Sequence, residues 1–180
     1  MNESIENRDS DLVIIGLALR TRPQDAAKNI PGHWQRFMRE GIAGIILARK
    51  DDANRYAVYC DYESDHRGPY TMVLGAAVDP GAAVPEGLVR VRVPAGNYAR
   101  FGVTGDPSKL IWQTWGYING EWPGKAGRRY LADVERYRPG GTPQCVEADI
   151  LVGMSWTPSA IRTRTSVWRS LAAAQDGSFR

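Results

Sequence analysis

The stretch Arg128-Arg-Tyr-Leu-Ala-Asp-Val-Glu-Arg-Tyr137 mixes apolar and polar residues in the way that predicts a half-buried β-strand. Its odd-numbered face carries Asp133 and Glu135. A Pro/Gly turn separates it from a second predicted strand, residues 146–154, whose odd-numbered face carries Asp149. If the two strands pair as a hairpin, Glu135 and Asp149 can share one face of the sheet. Carboxylates beside aromatic rings on a concave face would form a receptor for a cation.

The composition is that of an ordinary soluble globular chain, with 43% hydrophobic and 24% charged residues among 180. Its 23 basic and 20 acidic residues leave a net charge of +3, which is too balanced to predict direct nucleic-acid binding. No apolar run reaches the ~18–20 residues that cross a bilayer, and the polar N-terminus does not resemble a signal peptide. We therefore expect a cytoplasmic protein with no membrane partner.

The chain shows the same succession of predicted elements twice: strand, helix, strand, strand. In the first set, the strands cover residues 12–21, 55–63 and 70–78, and the helix covers 24–40 unless Pro31-Gly32 breaks it. The second set covers 97–103, a helix that Asp106 caps and that runs to about Trp122, and the hairpin described above. Residues 89–93 add a strand with strict alternation, and the apolar residues 43–48 are either strand or loop.

These elements predict an α+β fold in which two βαββ-type pseudo-repeats form a curved antiparallel sheet, with helices on one side. We expect a central ligand cleft between the halves on the side opposite the helices. The domain is predicted over residues 1–155, with repeats at about 11–80 and 88–155. Residues 156–180 form a basic tail in which 165–175 favour a short helix.

Five segments, in this order along the chain, carry a resemblance to a known family: 56–65, 84–89 with 93–99, the helix around Trp115, 134–137 and 147–150. Together they resemble the GyrI-like effector-binding domains. These include integron-associated effector-binding proteins and the ligand-binding halves of drug-responsive AraC- and MerR-type activators. The resemblance covers about residues 10–154. It implies two repeats related by a pseudo-twofold axis and a deep aromatic cleft that binds lipophilic, often cationic, molecules.

The resemblance also implies roles for single residues. Glu135 matches the family's buried cleft glutamate, and Asp149 lies where the last strand commonly has an acidic residue. Trp115 matches the aromatic residue of the second helix, and Tyr59 or Tyr62 would line the wall formed by the first repeat. The complete set of candidate ligand-binding residues is Glu135, Asp149, Trp115, Tyr59, Tyr62, Tyr137 and Trp34.

The residues by themselves leave other interpretations open. Glu135 could be a solvated strand residue paired with Arg128, Arg129 or Arg136. Tyr62 shares its predicted strand face with Tyr56, whereas Tyr59 lies on the other face, so both faces cannot line one cleft. The aromatic residues of both helices are equally typical of a core. The two histidines and two cysteines lack metal-ligand spacing, and we expect no metal and no cofactor.

We therefore predict a stand-alone module that binds amphipathic, cationic or aromatic small molecules and serves transcription regulation or drug sensing. No helix-turn-helix segment is evident, so a DNA-binding regulator would be a separate protein partner, and a homo-oligomer is also compatible. The main rival is a hydrolase of strained electrophilic ligands with Glu135 as general base. A second rival is a protein-interaction module of the gyrase-inhibitor kind, with the tail around Trp168 as its contact.

Overall fold

The computed structural model describes residues 2–47, 49, 53–142 and 144–155. The predicted tail, residues 156–180, lies outside the described residues. The elements, in chain order, are β1 (Asn2–Arg8), β2 (Leu12–Thr21), α1 (Pro23–Arg39), α2 (Ile42–Ile45), β3 (Arg55–Cys60), β4 (Tyr70–Val78), β5 (Val89–Val93), β6 (Gly96–Gly105), α3 (Pro107–Gly120), a 3₁₀ helix (Pro123–Gly127), β7 (Ala132–Tyr137) and β8 (Val146–Gly153).

All eight strands form one antiparallel sheet in the order β1-β6-β8-β7-β3-β4-β2-β5. The order is symmetric about the contact of β7 with β3, because exchanging β1–β4 with β5–β8 returns the same order reversed. The first strand of each half pairs with the second strand of the other half: β1 with β6, and β5 with β2. The α+β fold with an antiparallel sheet is therefore as predicted, and each half completes the sheet edge of the other.

Strand β1 is the element that the sequence patterns did not reveal. It contains a single large apolar residue, Ile5, and that side chain is exposed. Its place in the sheet depends on partners far along the chain, since Trp122 donates a hydrogen bond to Glu3 (3.0 Å) and Arg136 forms an ion pair with Glu6 (2.9 Å). The sheet thus extends beyond the predicted start of the first repeat at residue 11.

The two long helices lie close to their predicted positions. Helix α1 continues through Pro31, which deprives it of one backbone donor but does not end it. Helix α3 begins after Asp106, whose carboxylate accepts a hydrogen bond from the Ser108 backbone N–H at 2.9 Å. Residues 43–48, expected as strand or loop, include most of the short helix α2. None of the helices in the described part of the chain is both long and apolar enough to cross a membrane.

Both long helices pack on the same face of the sheet, which we call the helix face. Paired strand residues project to the same side, and Ala57, Glu135, Ile150 and Phe101 form such a row across β3, β7, β8 and β6. Phe101 and Ile150 pack against α3, and Ala57 belongs to the cluster that contains Phe37 of α1. Glu135 therefore lies on the helix face, and the expectation of a cleft on the opposite side is wrong for this residue.

The opposite face is covered by the curvature of the sheet itself. Its buried cluster includes Ile14, Val58, Val93 and Val134 and contains no helix residue. Strands β5 and β7, which are not neighbours in the sheet order, nevertheless come into contact. The sheet is therefore strongly curved, and apolar side chains of this face pack on one another.

The curvature coincides with a close approach of β2 and β4 at two glycines. Gly16 lies directly opposite Gly75. A Cβ atom on Gly16 would lie 2.1 Å from the Leu74 carbonyl oxygen, and one on Gly75 would lie 2.0 Å from the Ile15 carbonyl oxygen. Because both obstacles are backbone atoms, a side chain at either position would force the strands apart.

We expect Gly75→Ala to lower the free energy of unfolding by about 1–3 kcal/mol, the usual cost of overpacking a core. Gly102→Ala is the matched control, because Gly102 also lies within a strand but a Cβ there would meet nothing within 4 Å. Denaturant unfolding of both variants measures the difference. Equal losses of stability would contradict the close approach of β2 and β4.

Candidate functional site

Glu135 occupies the middle of β7, one of the two central strands of the sheet. Its neighbours across the strands are Ala57 on β3 and Ile150 on β8, and only 1% of the residue is exposed. The alternation of β7 sends Val134 into the cluster of the opposite face and Glu135 toward the helices. The strand pattern thus places a carboxyl group inside a core layer, which is unusual unless polar partners accompany it.

Three uncharged donors bind the Glu135 carboxylate. Tyr59 Oη and Trp115 Nε1 donate to Oε1, each at 2.7 Å, and Tyr137 Oη donates to Oε2 at 2.6 Å. Among the described residues, no lysine, arginine or histidine forms an ion pair with Glu135. The hydrogen-bonding capacity of the carboxylate is largely satisfied, but its charge has no counterion.

The surroundings of Glu135 act on its pKa in two directions. Burial raises the pKa, and the hydrogen bonds from Tyr137, Trp115 and Tyr59 oppose that rise without cancelling it. Burial, together with the nearby Glu135 charge, raises the pKa of Tyr59 and of Tyr137 well above the usual value. Both hydroxyls therefore remain protonated donors at neutral pH.

Aromatic rings from both helices and both central strands enclose this carboxylate. Trp34 of α1 meets Tyr137 edge-to-face at a centroid separation of 5.2 Å, and Trp115 of α3 meets Tyr59 in the same way at 5.4 Å. Tyr59 also contacts Tyr70 at 5.6 Å. Because these contacts leave Glu135 almost completely buried, the rings must separate before a ligand can touch the carboxylate.

A second carboxylate on the helix face, Asp133, is in a different electrostatic situation. It is fully buried, and Arg128 donates to it at 2.6 Å, with further hydrogen bonds from Tyr62 Oη at 2.8 Å and the Gly153 N–H at 2.9 Å. The Arg128 guanidinium also lies 4.4 Å from the centre of the Tyr130 ring. The protein thus supplies its own cation and ring to Asp133, two residues away from Glu135.

The sequence interpretation overlooked Asp133 and Arg128 as parts of the site, although Asp133 shares the odd-numbered face with Glu135. The interpretation of Glu135 as a solvated residue paired with an arginine is wrong. Arg128 pairs with Asp133, and Arg136 pairs with carboxylates of the opposite face.

The tyrosines of the first half divide differently from the predicted faces. Tyr59 points to the helix face and Tyr56 to the opposite cluster, as strand alternation requires. Tyr62 nevertheless packs on Tyr70 in the cluster that contains Tyr59, because β3 ends at Cys60 and Asp61 adopts a φ of 49°. That left-handed residue reverses the alternation. The structure therefore brings both Tyr59 and Tyr62 to the helix face.

Asp149 does not join Glu135, and the expectation of a shared face is wrong. In the observed register Asp149 lies opposite Arg136, whereas Glu135 lies opposite Ile150. Arg100, Arg136 and Arg138 bind Asp149 at 2.7, 2.8 and 3.2 Å. Burial acts to raise the pKa of Asp149, but these arginines outweigh it and lower the pKa. This residue is a buried anion that the protein has already neutralised.

The other helix tryptophan, Trp112, and the two histidines lie outside the environment of Glu135. Trp112 is 48% exposed, so Trp34 and Trp115 are the helix tryptophans that approach Glu135. His33 is hydrogen-bonded to the Leu17 carbonyl oxygen, and His66 stacks on Tyr130. Within residues 2–47, 49, 53–142 and 144–155, no three histidine, cysteine or acidic side chains converge as a metal-ligand set.

Comparison with known proteins agrees with this architecture. YobU of Bacillus subtilis (strain 168), named "Putative transcriptional regulator protein", is 24% identical over 129 residues, which cover 71% of this chain and 80% of YobU. The structure of SAV2435 bound to tetraphenylphosphonium has a TM-score of 0.72 at 17% identity, covering 86% of this chain and 94% of that one. An integron cassette protein from the mobile metagenome of Vibrio cholerae has a TM-score of 0.59 at 25% identity, covering 83% and 95%.

Because the sequence identity to SAV2435 is only 17%, the structural similarity shows a shared fold and no more. A family model described as "Integron-associated effector binding protein" matches residues 4–153, which include every strand and helix described above except the first two residues of β1. The chain therefore belongs to the family of integron-associated effector-binding proteins.

Proposed function

We propose that this protein binds lipophilic organic cations at Glu135 and acts as the sensing module of a drug-responsive system. The observation that carries the proposal is the contrast between two buried carboxylates on the same strand face. Asp133 has the guanidinium of Arg128 at 2.6 Å, whereas Glu135 has only neutral donors. A cation from outside is the partner that Glu135 lacks.

The energetics favour a flat or bulky aromatic cation over a small hydrated one. An ionised carboxylate without a counterion in a core layer carries a cost of several kcal/mol, which a desolvated cation would reduce. Each ring face that meets the cation would add roughly 0.5–2 kcal/mol. Trp34, Tyr59, Trp115 and Tyr137 supply such faces once they separate. The tetraphenylphosphonium bound in SAV2435 is a ligand of this type.

We expect Glu135→Gln to weaken tetraphenylphosphonium binding by about 10- to 100-fold, the loss that follows when a charged partner worth roughly 1.5–3 kcal/mol becomes neutral. The glutamine keeps the shape of the side chain, and its carbonyl oxygen can still accept from Tyr59 and Trp115. Quenching of tryptophan fluorescence measures the affinity, because Trp115 contacts residue 135 directly.

Glu86→Gln is the matched control, because it removes the same charge from an exposed loop residue. Neutral triphenylphosphine oxide serves as the second control: wild type should prefer the phosphonium, and Glu135→Gln should lose that preference. Equal phosphonium affinities for wild type and Glu135→Gln would contradict the proposed role of the charge.

The pH dependence of cation affinity follows from the raised pKa of Glu135. As the pH falls through this pKa, Glu135 takes up a proton and the cation loses its partner, so affinity should fall by up to about tenfold per pH unit. The loss should begin at a higher pH than the usual glutamate range, and Glu135→Gln should show no such loss. Titrations at several pH values and constant ionic strength test this. A wild-type affinity that does not change over the same range would contradict it.

We also infer that ligand binding serves regulation through a separate DNA-binding partner, since a relative carries a transcriptional-regulator name. Helices α1 and α3 both reach the carboxylate environment, α3 through Trp115 and α1 through Trp34 on Tyr137. Separation of these rings by a ligand would move the helices relative to each other, and a protein partner could recognise that movement.

One observation favours an alternative function, hydrolysis of strained electrophilic rings. Glu135 is a buried carboxylate with two tyrosine hydroxyls at 2.6–2.7 Å. Glu135 would take a proton from water as the water oxygen bonds to the ring carbon. A tyrosine would protonate the departing ring atom. Incubation with an aryl epoxide distinguishes the two functions: we expect binding without diol formation, and diol formation that Glu135→Gln abolishes would establish the hydrolase instead.

A further inference from the structure

The face of the sheet opposite Glu135 carries an ionic network rich in arginine. Asp149 lies at its centre, bound by the three arginines described above, and Arg136 extends the network to Glu6 at 2.9 Å. Glu6 in turn accepts from Arg8 at 3.2 Å. The network therefore runs across β7, β8 and β6 to the edge strand β1.

The positive charges of this network outnumber the negative ones. Its carboxylates are Glu6, Glu147 and Asp149, whereas its guanidinium groups belong to Arg8, Arg100, Arg129, Arg136 and Arg138. Five cations thus face three anions, an excess of two. Arg100, Arg136 and Arg138 contact Asp149, and Arg8 pairs with Glu6, whereas Arg129 has no carboxylate partner among the described residues.

Arg8 and Arg129 both lie near Tyr98 at the start of β6: burial raises the pKa of Tyr98, and the charges of Arg129 and Arg8 oppose that rise. Gly96 is the strand partner of Arg8, and a Cβ atom on Gly96 would lie 3.0 Å from Arg129 Nη1. The Arg129 guanidinium also lies 5.7 Å from the centre of the Tyr98 ring. Gly96 has a φ of +133°, which L side chains rarely adopt, and the absence of a Cβ lets the Arg129 guanidinium pack directly against the backbone there.

Three donors of these two arginines have no acceptor. Arg8 Nε, Arg129 Nε and Arg129 Nη2 are buried and have no hydrogen-bond partner among the described residues. A buried donor without a partner costs roughly 1–3 kcal/mol, and two neighbouring cations repel each other. A single oxyanion would relieve both, since a carboxylate or phosphate accepts several N–H bonds from arginine forks.

We propose that this end of the network is an oxyanion-binding site, formed by Arg8 and Arg129 beside Gly96 and Tyr98. The ligand is a carboxylate or phosphate group. The site is separate from Glu135 in position and in charge, since it lies on the opposite face of the sheet and selects anions. The Arg8 side chain is 19% exposed and Arg129 is half-buried, so the site lies at the surface, and the arginine side chains must shift for the three buried donors to meet an anion.

The test follows the arginine Nε–Hε signals by NMR while inorganic phosphate or acetate is added to the full chain, with chloride replaced to keep ionic strength constant. The Arg8 and Arg129 signals should shift and saturate, and chloride alone should not produce the shift. Saturation with phosphate but not acetate would identify a phosphate ligand. Saturation with acetate but not phosphate would identify a carboxylate ligand. Shifts that never saturate, or that chloride reproduces, would overturn the proposal.

Arg129→Met should weaken anion binding at least tenfold, and Arg39→Met is the matched control because it removes an exposed arginine of α1. Arg8→Met provides an independent variant at the less buried partner, should Arg129→Met fail to fold. Anion affinity unchanged in a folded variant would overturn the site. Saturating tetraphenylphosphonium should change the anion affinity by less than twofold. The cation proposal at Glu135 and the anion proposal at Arg8 and Arg129 can therefore fail independently of each other.

Discussion

The burial of the Glu135 carboxylate is the constraint on which the rest of the structure depends. An anion in this position is tolerated only when donors converge on it, and they come from three elements: Tyr59 on β3, Trp115 on α3 and Tyr137 on β7. Trp34 of α1 then packs against Tyr137. One carboxylate thus connects both long helices to the two central strands, where the symmetric halves of the sheet meet.

The distribution of buried charge differs between the two faces of the sheet. On the helix face, Arg128 neutralises Asp133, whereas Glu135 keeps its charge without a counterion. On the opposite face, arginines outnumber carboxylates, and three arginines bind Asp149. A fold selected only for stability would pair these groups, because an uncompensated buried charge is costly. The residues left without a counterion or acceptor are therefore the ones to which we assign ligands.

The exchange of edge strands between the two halves ties the halves of the sheet together. Because β1 pairs with β6 and β5 pairs with β2, neither half can move without disturbing the edge of the other. The close backbone approach at Gly16 and Gly75 accompanies the curvature that buries the opposite face. Movement for ligand entry is consequently expected in the aromatic side chains and the two helices, which contact the sheet through side chains and take no part in its backbone hydrogen bonding.

Local chemistry in the sequence determined seven of the strands, both long helices, the Asp106 cap, the candidate carboxylate at position 135 and the resemblance to an effector-binding family that the family model confirms. The elements and the cap depend on residue spacing within one segment, which strand and helix periodicity makes readable, and the resemblance depends on five short segments in order along the chain. The ligand-binding role of the candidate residues stays a prediction.

Only the tertiary structure decided which side chains meet. The strand register places Arg136, and not Glu135, opposite Asp149, and in a strand a shift of one residue transfers a side chain to the other face. The left-handed Asp61 returns Tyr62 to the helix face, and the pairing of Arg128 with Asp133 leaves Glu135 without a cation. Each outcome is set by how strands pair and the chain turns in three dimensions, which residue spacing along the sequence does not encode.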